Sequence, residues 1–321
     1  MAKRKNHAVV QRYLRHPLEA LGLTIAMAII RSLPVDRASN FCGWLGRSIG
    51  PRLGITHRAE KNLIRAFPEM TAEERARIVR GMWDNLGRVV GEYGHLKEIT
   101  ASDSGRVECL GLEHIAPLRD GKTPGIFFSG HLGNWEILPA VAAREGVHMA
   151  NVVREPNNPL VRDSIAALRG FDAGQSIPKG PEGGRQAMRV LKNGGVLALL
   201  IDQKMNQGIT VPFFGQAAKT APAVAQFALR FGCPIYPARV ERLGAARFRL
   251  TCYPPLKVPE TSNQDDQVLQ IMTAINAMLE DWIRERPEVG WCAKRRWPKD
   301  APARPAPTGP EAQAGSPGKA T

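Results

Sequence analysis

The sequence predicts an α/β fold, with a mixed, mostly parallel sheet covered by helices and an N-terminal helical layer associated with a membrane. From about residue 107, short apolar runs alternate with amphipathic helical segments, a pattern typical of sheets whose strands run mostly parallel. The first hundred residues instead carry helical periodicity. A chain of 321 residues with 43% hydrophobic content is long and apolar enough to bury a full core of this kind.

The N-terminus combines a basic stretch with an apolar one. Residues 1–16 contain five Lys or Arg side chains and no acid, and residues 18–33 are apolar except for four positions. This apolar segment is shorter than the ~20 residues of a usual span, so it predicts a marginal transmembrane anchor or a helix lying in the interface. An ordinary buried helix fits equally well. We expect no cleaved signal peptide, because no small-residue cleavage site follows the apolar run.

Helices are predicted over residues 36–50, 56–67 and 71–99, the last opening with a capping box of Thr71 and Glu74. The alternating region follows. Its predicted strands are 125–129, 147–153, 195–201, 235–241 and 247–253, and its predicted helices are 135–144, 159–169, 182–192, 222–231 and 264–286.

Four regions are therefore expected along the chain. Residues 301–321 are rich in Pro, Ala and Gly and lack large apolar side chains, which predicts a disordered tail. The regions are a basic N-terminus with an anchor helix (1–35), a helical layer (36–105), an α/β core (106–298) and the tail (299–321).

Composition limits the partners and the cofactors. The net charge of +14 and the isoelectric point near 10 imply anionic partners. Nucleic acid, an anionic bilayer, a phosphorylated lipid and an acidic carrier protein all satisfy that charge. The five cysteines form no C-x-x-C pair and have no histidine at ligand spacing, so we expect reduced thiols and no metal site.

The chain is organised around residues 125–139, which read G-I-F-F-S-G-H-L-G-N-W-E-I-L-P. The apolar run predicts a buried strand, and Asn134 offers an N-cap for a helix that begins at Trp135. His131 then lies in a strand-to-helix loop, with Glu136 in the first helical turn. An imidazole oriented by a carboxylate can take a proton from a hydroxyl. The alternative is a plain loop histidine followed by an acid at a helix start.

Polar side chains also follow two other predicted strands. Arg154 ends the strand at 147–153, and Asp202 and Gln203 end the strand at 195–201. The carboxyl ends of parallel strands lie at one edge of a sheet, so these side chains can join His131. Arg154 could bind a phosphate or a developing oxyanion. It could equally form a surface ion pair with Glu155, and Asp202 could merely cap its loop.

The motif G-H-x-G-N-W-E resembles block I, H-x4-(D/E), of the glycerolipid and lipid A acyltransferases, in the form found in the lipid A late (lauroyl/myristoyl) acyltransferase family. The resemblance continues through the Arg154 and Asn-Pro block, D-Q followed by V-P-F-F-G at residues 211–215, and the closing R-P-E…W…R-R-W. It covers roughly residues 15–297. The sequence departs from the family at Glu155, at residues 204–208, and at Gly290 and Cys292, which leaves the acceptor and the acyl chain open.

The resemblance implies transfer of a fatty acyl chain from acyl carrier protein to a hydroxyl of a phosphorylated, Kdo-bearing lipid A precursor, at the cytoplasmic face of the inner membrane. His131 would be the general base and Glu136 its orienter, while Arg154 and Asp202 would organise charge at the carbonyl. No metal, cofactor, covalent intermediate or nucleic acid is implied. The expected substrate-binding residues are Asn134 and Gln203, the pair Phe213 and Phe214 as the lining of an acyl-chain tunnel, and the basic stripe of Arg185, Arg189 and Lys192.

Each of these residues has a simpler interpretation. Adjacent aromatics are usually buried anchors, and basic stripes are usually solvated faces. Two other functions also remain open. One is acylation of a lysophospholipid, a mannosylated inositol lipid or an aminolipid. The other is a non-catalytic membrane or nucleic-acid binding protein, suggested by the basic residues 294–296 between tryptophans.

Overall fold

The structure is a computed structural model that describes residues 14–169, 174–261, 263–290 and 294–298. The basic residues 1–13, Cys292 and the predicted tail at 299–321 lie outside the described residues. From residue 14 onward, five helices form the N-terminal layer: α1 (His16–Ser32), α2 (Val35–Ile49), α3 (His57–Ala66), α4 (Ala72–Glu92) and α5 (Leu96–Thr100).

Nine strands and five more helices follow. The strands are β1 (Val107–Leu110), β2 (Gly125–Ser129), β3 (Met149–Val153), β4 (Ser176–Pro178), β5 (Val196–Leu200), β6 (Ile209–Phe213), β7 (Gln216–Thr220), β8 (Ile235–Arg242) and β9 (Phe248–Cys252). The helices are α6 (Ile137–Arg144), α7 (Pro159–Arg169), α8 (Pro181–Lys192), α9 (Ala223–Phe231) and α10 (Gln264–Glu285).

Seven of these strands form one sheet, in the order β1-β9-β8-β2-β5-β3-β4, and β6 pairs with β7 as a separate antiparallel hairpin. Within the large sheet every neighbouring pair is parallel except β8 and β9. The predicted mixed, mostly parallel α/β sheet is thus confirmed. Strand β2 lies at the centre of the sheet, so the loop that follows it opens at the middle of the carboxyl edge.

Both faces of β2 are covered, and all five of its residues are buried. Successive side chains of a strand point to opposite faces. Phe128 accordingly stacks on Trp282 of α10, with ring centroids 6.0 Å apart, while Phe127 stacks on Tyr236 at 5.2 Å. This double burial explains why the strand reads as an uninterrupted apolar run.

Most predicted elements are present with shifted ends. The capping box of Thr71 and Glu74 is confirmed at the start of α4. That helix ends at Glu92, and a 3-10 turn separates it from α5 where the sequence predicted one helix to residue 99. Helix α6 begins at Ile137, two residues later than predicted, because Trp135 and Glu136 form a turn.

Helices α2 and α4 pack with their backbones almost touching. A Cβ on Gly46 would lie 2.2 Å from the carbonyl oxygen of Trp83, and one on Gly87 would lie 2.1 Å from that of Cys42. Only glycine permits this approach. The relative position of the two helices is therefore fixed closely.

Helix α1 has one buried side and one exposed side. Met27 and Ile30 are buried, whereas Leu18, Leu21, Ile25 and Ile29 each expose more than half of their surface. None of the helices in the described part of the chain combines the length and the hydropathy needed to cross a bilayer.

Candidate active site

The loop between β2 and α6 is held in one conformation by backbone contacts. Gly133 has φ +55°, and a Cβ at this position would lie 2.6 Å from the carbonyl oxygen of Val240. Its N–H donates to the carbonyl of Val289 at 2.8 Å, and its own carbonyl accepts from the amide of Asn85 at 2.9 Å. Helix α4, which carries Asn85, thus fastens the loop that presents His131.

A buried ion pair also stabilises the loop that carries His131. Glu92 is fully buried and accepts two hydrogen bonds from the guanidinium of Arg242, which is 7% exposed. The Nε of Arg242 donates to Asn85 at 2.8 Å, and the amide of Asn134 donates to Glu92 at 2.9 Å. Removing one partner of such a network would leave a buried charge without compensation.

Asn134 belongs to this supporting network and not to a substrate surface. Its side chain is fully buried, with its amide nitrogen on Glu92 and its oxygen accepting from the backbone N–H of Glu136 at 3.1 Å. The side chain predicted to bind substrate is thus not part of the cleft wall. The residue caps the turn that precedes α6.

His131 is paired with Asp202. The Nδ1 atom of the ring lies 2.7 Å from Oδ1 of Asp202, whose residue is 2% exposed. Burial raises the pKa of Asp202, but the charge and hydrogen bonds of His131 outweigh that effect and hold the pKa below its usual value. The carboxylate is therefore ionised at neutral pH, accepts the Nδ1 proton and leaves Nε2 as the basic nitrogen.

The orienting role predicted for Glu136 thus belongs to Asp202. Strands β2 and β5 are parallel neighbours in which Ser129 pairs with Leu200. His131 and Asp202 each lie two residues beyond that pair, so the register brings them side by side. Glu136 lies in the wall of the same cleft, 8% exposed, and no hydrogen bond joins the described side chains of His131 and Glu136.

Gln203 lies against the imidazole and is itself held by Lys294. The ammonium of Lys294 donates to Oε1 of Gln203 at 3.0 Å, which turns the amide nitrogen toward His131. That nitrogen is 3.3 Å from Nδ1 and 3.1 Å from Nε2. The amide of Gln203 therefore contacts Nε2 in this structure, and a substrate hydroxyl that gives its proton to Nε2 must displace or share this contact.

These residues open into a cleft of about 630 Å³. The ring of Trp135 meets that of His131 edge to face, with centroids 5.0 Å apart, and lines the cleft with it. Arg154 lies in the cleft at the end of β3, as predicted, and forms no ion pair with Glu155. The wall also has polar residues, among them Ser129, Asn151 and Ser176. Its apolar residues are Leu138, Pro139, Val152, Val153, Ala166, Ala198, Leu199 and Leu200.

Among the cleft residues that the sequence did not identify as site residues are Trp135, Lys179 and Lys294. Lys179 follows β4, a strand of three residues that is too short to give a periodic signal. The sequence predicts only that Trp135 begins a helix. Lys294 is 163 positions from His131 along the chain, so sequence spacing could not relate them.

Four predicted substrate-binding residues lie away from this cleft. Phe213 and Phe214 are fully buried, with ring centroids 5.0 Å apart, and Arg284 lies 4.5 Å above the ring of Phe214. They are core anchors and do not line the cleft. Arg185 and Arg189 pair with Glu182 on the solvent face of α8, with side chains 63% and 71% exposed.

The basic segment near the C-terminus is not a surface patch as a whole. Arg296 is fully buried and donates to the carbonyl of Lys219 at 3.0 Å and to the hydroxyl of Thr220 at 2.7 Å. Burial lowers its pKa to about 10. Because Arg296 is buried, only two of the three charges on which the nucleic-acid interpretation depended can lie at the surface. Trp291 lies outside the described residues.

The comparison with protein families decides the class of this protein. The family model for bacterial lipid A biosynthesis acyltransferases matches residues 6–299. The chain belongs to this family. Membership supports acyltransferase activity, in agreement with the resemblance seen in the sequence motifs.

Individual relatives are distant. A lipid A biosynthesis acyltransferase from Haemophilus influenzae is 22% identical over 269 residues, covering 82% of each chain. A crystal structure of the 1-acyl-sn-glycerophosphate (LPA) acyltransferase PlsC from Thermotoga maritima is similar with a TM-score of 0.39 and 15% identity. It covers 77% of this chain and 97% of that one.

Proposed function

We propose that this acyltransferase moves a fatty acyl chain from acyl carrier protein to a hydroxyl of a lipid A precursor, with His131 as general base. The observation that supports this most strongly is that His131 lines the cleft with its Nδ1 held by the buried Asp202, which leaves Nε2 as the nitrogen that can accept a proton. A base of this kind activates an alcohol without any metal or covalent intermediate.

In the proposed reaction, Nε2 of His131 takes the proton of the acceptor hydroxyl as its oxygen attacks the thioester carbonyl. The tetrahedral intermediate collapses with cleavage of the C–S bond. The imidazolium returns its proton to the departing thiolate of the carrier. Asp202 stabilises the imidazolium throughout, because its charge lies 2.7 Å from Nδ1.

Two further charged residues are proposed to act on the reacting atoms. Arg154 lies in the cleft, and a guanidinium there can stabilise the oxyanion of the tetrahedral intermediate. The carboxylate of Glu136 lines the same cleft, where it can orient the acceptor. Lipids other than a lipid A precursor present hydroxyls of the same kind, so the acceptor must be identified directly.

The proposed location is the cytoplasmic face of the inner membrane. Helix α1 exposes a row of apolar side chains, and α2 exposes Phe41 and Trp44, each 51% accessible. Exposed apolar surface of this extent, on a chain of net charge +14, suits an anionic bilayer. The start of α1 also contacts the segment that leads into α7, because the amide of Asn158 donates to the carbonyl of His16 at 2.9 Å.

The test is mass spectrometry of lipid products after incubation with defined acyl donors and candidate acceptors. Wild-type protein should add one acyl group to a lipid A precursor. His131→Ala should lower the rate about 10²- to 10⁴-fold while the chain stays folded, and Glu136→Gln should also slow transfer. His148→Ala is the matched control, because His148 is exposed at the opposite end of β3.

Two outcomes would reject parts of this proposal. Retention of most activity by the His131 variant would reject the general base. Acylation of a lysophospholipid or an aminolipid, with the lipid A precursor left unchanged, would reject the acceptor while leaving the chemistry intact.

A further inference from the structure

We propose that Arg154, Lys179 and Lys294 form an anion subsite that binds a phosphate ester of a substrate beside His131. This inference deepens the proposed function and rests on it for the identity of the substrate. The subsite itself follows from the placement of three cationic side chains from three separate segments in the wall of one cleft.

The sheet register makes two of these side chains neighbours. Strands β3 and β4 are parallel, and Val153 pairs with Pro178 at their ends. Arg154 and Lys179 are the next residue on each strand, and the N–H of Lys179 donates to the carbonyl of Val153 at 3.2 Å. Both side chains therefore leave the carboxyl edge of the sheet at one place.

The third side chain is fixed by the core. The buried Arg296 anchors the segment 294–298, and the amide of Asn62 donates to the carbonyl of Lys294 at 2.8 Å. The ammonium of Lys294 then reaches Gln203 at 3.0 Å. An ammonium has three donors, so two remain for a ligand.

The three residues are not paired directly with any described acid. Within the described parts of the chain, none of them forms an ion pair with a carboxylate, in contrast to Arg185, which is bound to Glu182. Partial burial lowers the pKa of Lys179, and the charges of Lys294 and Arg154 lower it further, although Asp202 opposes them. Like charges that line one cleft favour an anion between them.

A phosphate ester is the chemistry that such a subsite recognises. Two sources fit the proposed reaction: the phosphodiester in the prosthetic arm of the carrier protein, and the phosphate of the acceptor headgroup. Both bring the phosphate to the mouth of the cleft in which the hydroxyl and the thioester must meet.

Binding of matched probes by calorimetry tests the subsite without requiring turnover. The donor pair is S-dodecanoyl 4′-phosphopantetheine and S-dodecanoyl pantetheine. The acceptor pair is an acylated glucosamine disaccharide with and without its phosphate monoesters. The protein variants are the wild type, the double variant K179Q/K294Q, and K257Q as a control. Lys257 is exposed and follows β9, whose carboxyl end lies at the other edge of the sheet.

K179Q/K294Q should weaken binding of the phosphorylated member of one pair about tenfold or more. Binding of its unphosphorylated partner and the behaviour of K257Q should not change. A phosphate-dependent loss in the donor pair assigns the subsite to the carrier arm, and one in the acceptor pair assigns it to the headgroup. Equal loss for both members of both pairs, or an equal effect of K257Q, would overturn the inference. Failure of acyl transfer to lipid A precursors would reject the proposed function and leave this binding result standing.

Discussion

At the scale of single residues, Asp202 is the side chain on which the candidate base depends. Its carboxylate is ionised and lies on Nδ1 of His131, so it both selects the tautomer and stabilises the imidazolium. Asp202→Asn keeps a hydrogen-bond acceptor of the same size and removes the charge. We expect kcat to fall about 10²- to 10⁴-fold with a small change in KM. Steady-state kinetics check this, and a variant with near-normal kcat would contradict it.

The same variant has a stability signature that depends on pH. The pKa of Asp202 is lower in the folded protein than in the unfolded chain. The pair with His131 therefore adds stability above the unfolded carboxyl pKa of about 3.9, and this stability is lost as pH falls through the folded pKa. The difference in unfolding free energy between wild type and Asp202→Asn should shrink as the pH is lowered. Denaturant titrations at several pH values measure it.

The sequence predicted that His131, Arg154, Asp202 and Gln203 follow strands and meet at one edge, and the structure places all four there. It assigned the orienting role to Glu136, whereas the acid that contacts the imidazole is Asp202. Glu136 is near in sequence, whereas Asp202 is near because of the pairing between β2 and β5. Strand register is a property of the whole sheet, so local spacing could not reveal it.

At the scale of elements, the loop that carries His131 depends on a single glycine. Gly133→Ala would place a methyl group 2.6 Å from the carbonyl oxygen of Val240, in addition to the strain of a positive φ. Gly121→Ala is the matched control, because Gly121 has a similar φ of +66° and no atom within 4 Å of the added Cβ.

We expect Gly121→Ala to cost about 1 kcal/mol and Gly133→Ala to cost clearly more, with a loss of activity that Gly121→Ala does not share. Unfolding free energies and kcat of the two variants measure the difference. Equal stability and equal activity of the two would show that the loop tolerates the displacement.

Elements with a strong periodic signal were predicted closely, and short ones were missed. The limits of β2 and α7 agree with the prediction, since each combines a clear pattern with a defined start. Strand β4, with three residues, and the hairpin of β6 and β7 were not predicted. The hairpin turns at Phe214 with φ +50°, a conformation that an aromatic residue does not signal in advance.

At the scale of the whole molecule, the proposed membrane contact can be tested through α2. Phe41→Ser with Trp44→Ser removes two exposed aromatic side chains whose rings lie 5.9 Å apart. We expect the fraction of protein that sediments with anionic phospholipid vesicles to fall at least tenfold, because these side chains supply much of the exposed apolar area of α2. Leu269→Ser, at a 41% exposed position of α10, is the control. Equal binding by all three proteins would exclude α2 as the contact.

The glycine contact between α2 and α4 links that face to the chemistry. Helix α2 carries Phe41 and Trp44, and α4 carries the Asn85 amide that holds the carbonyl of Gly133. The backbones of α2 and α4 meet at Gly46 and Gly87 without side chains between them. The two helices therefore cannot easily shift relative to each other. For a protein resting on a bilayer through α2, we expect the imidazole to stand at one constant height above the lipid plane. Acceptors would then be chosen by how far their hydroxyl protrudes from the headgroups.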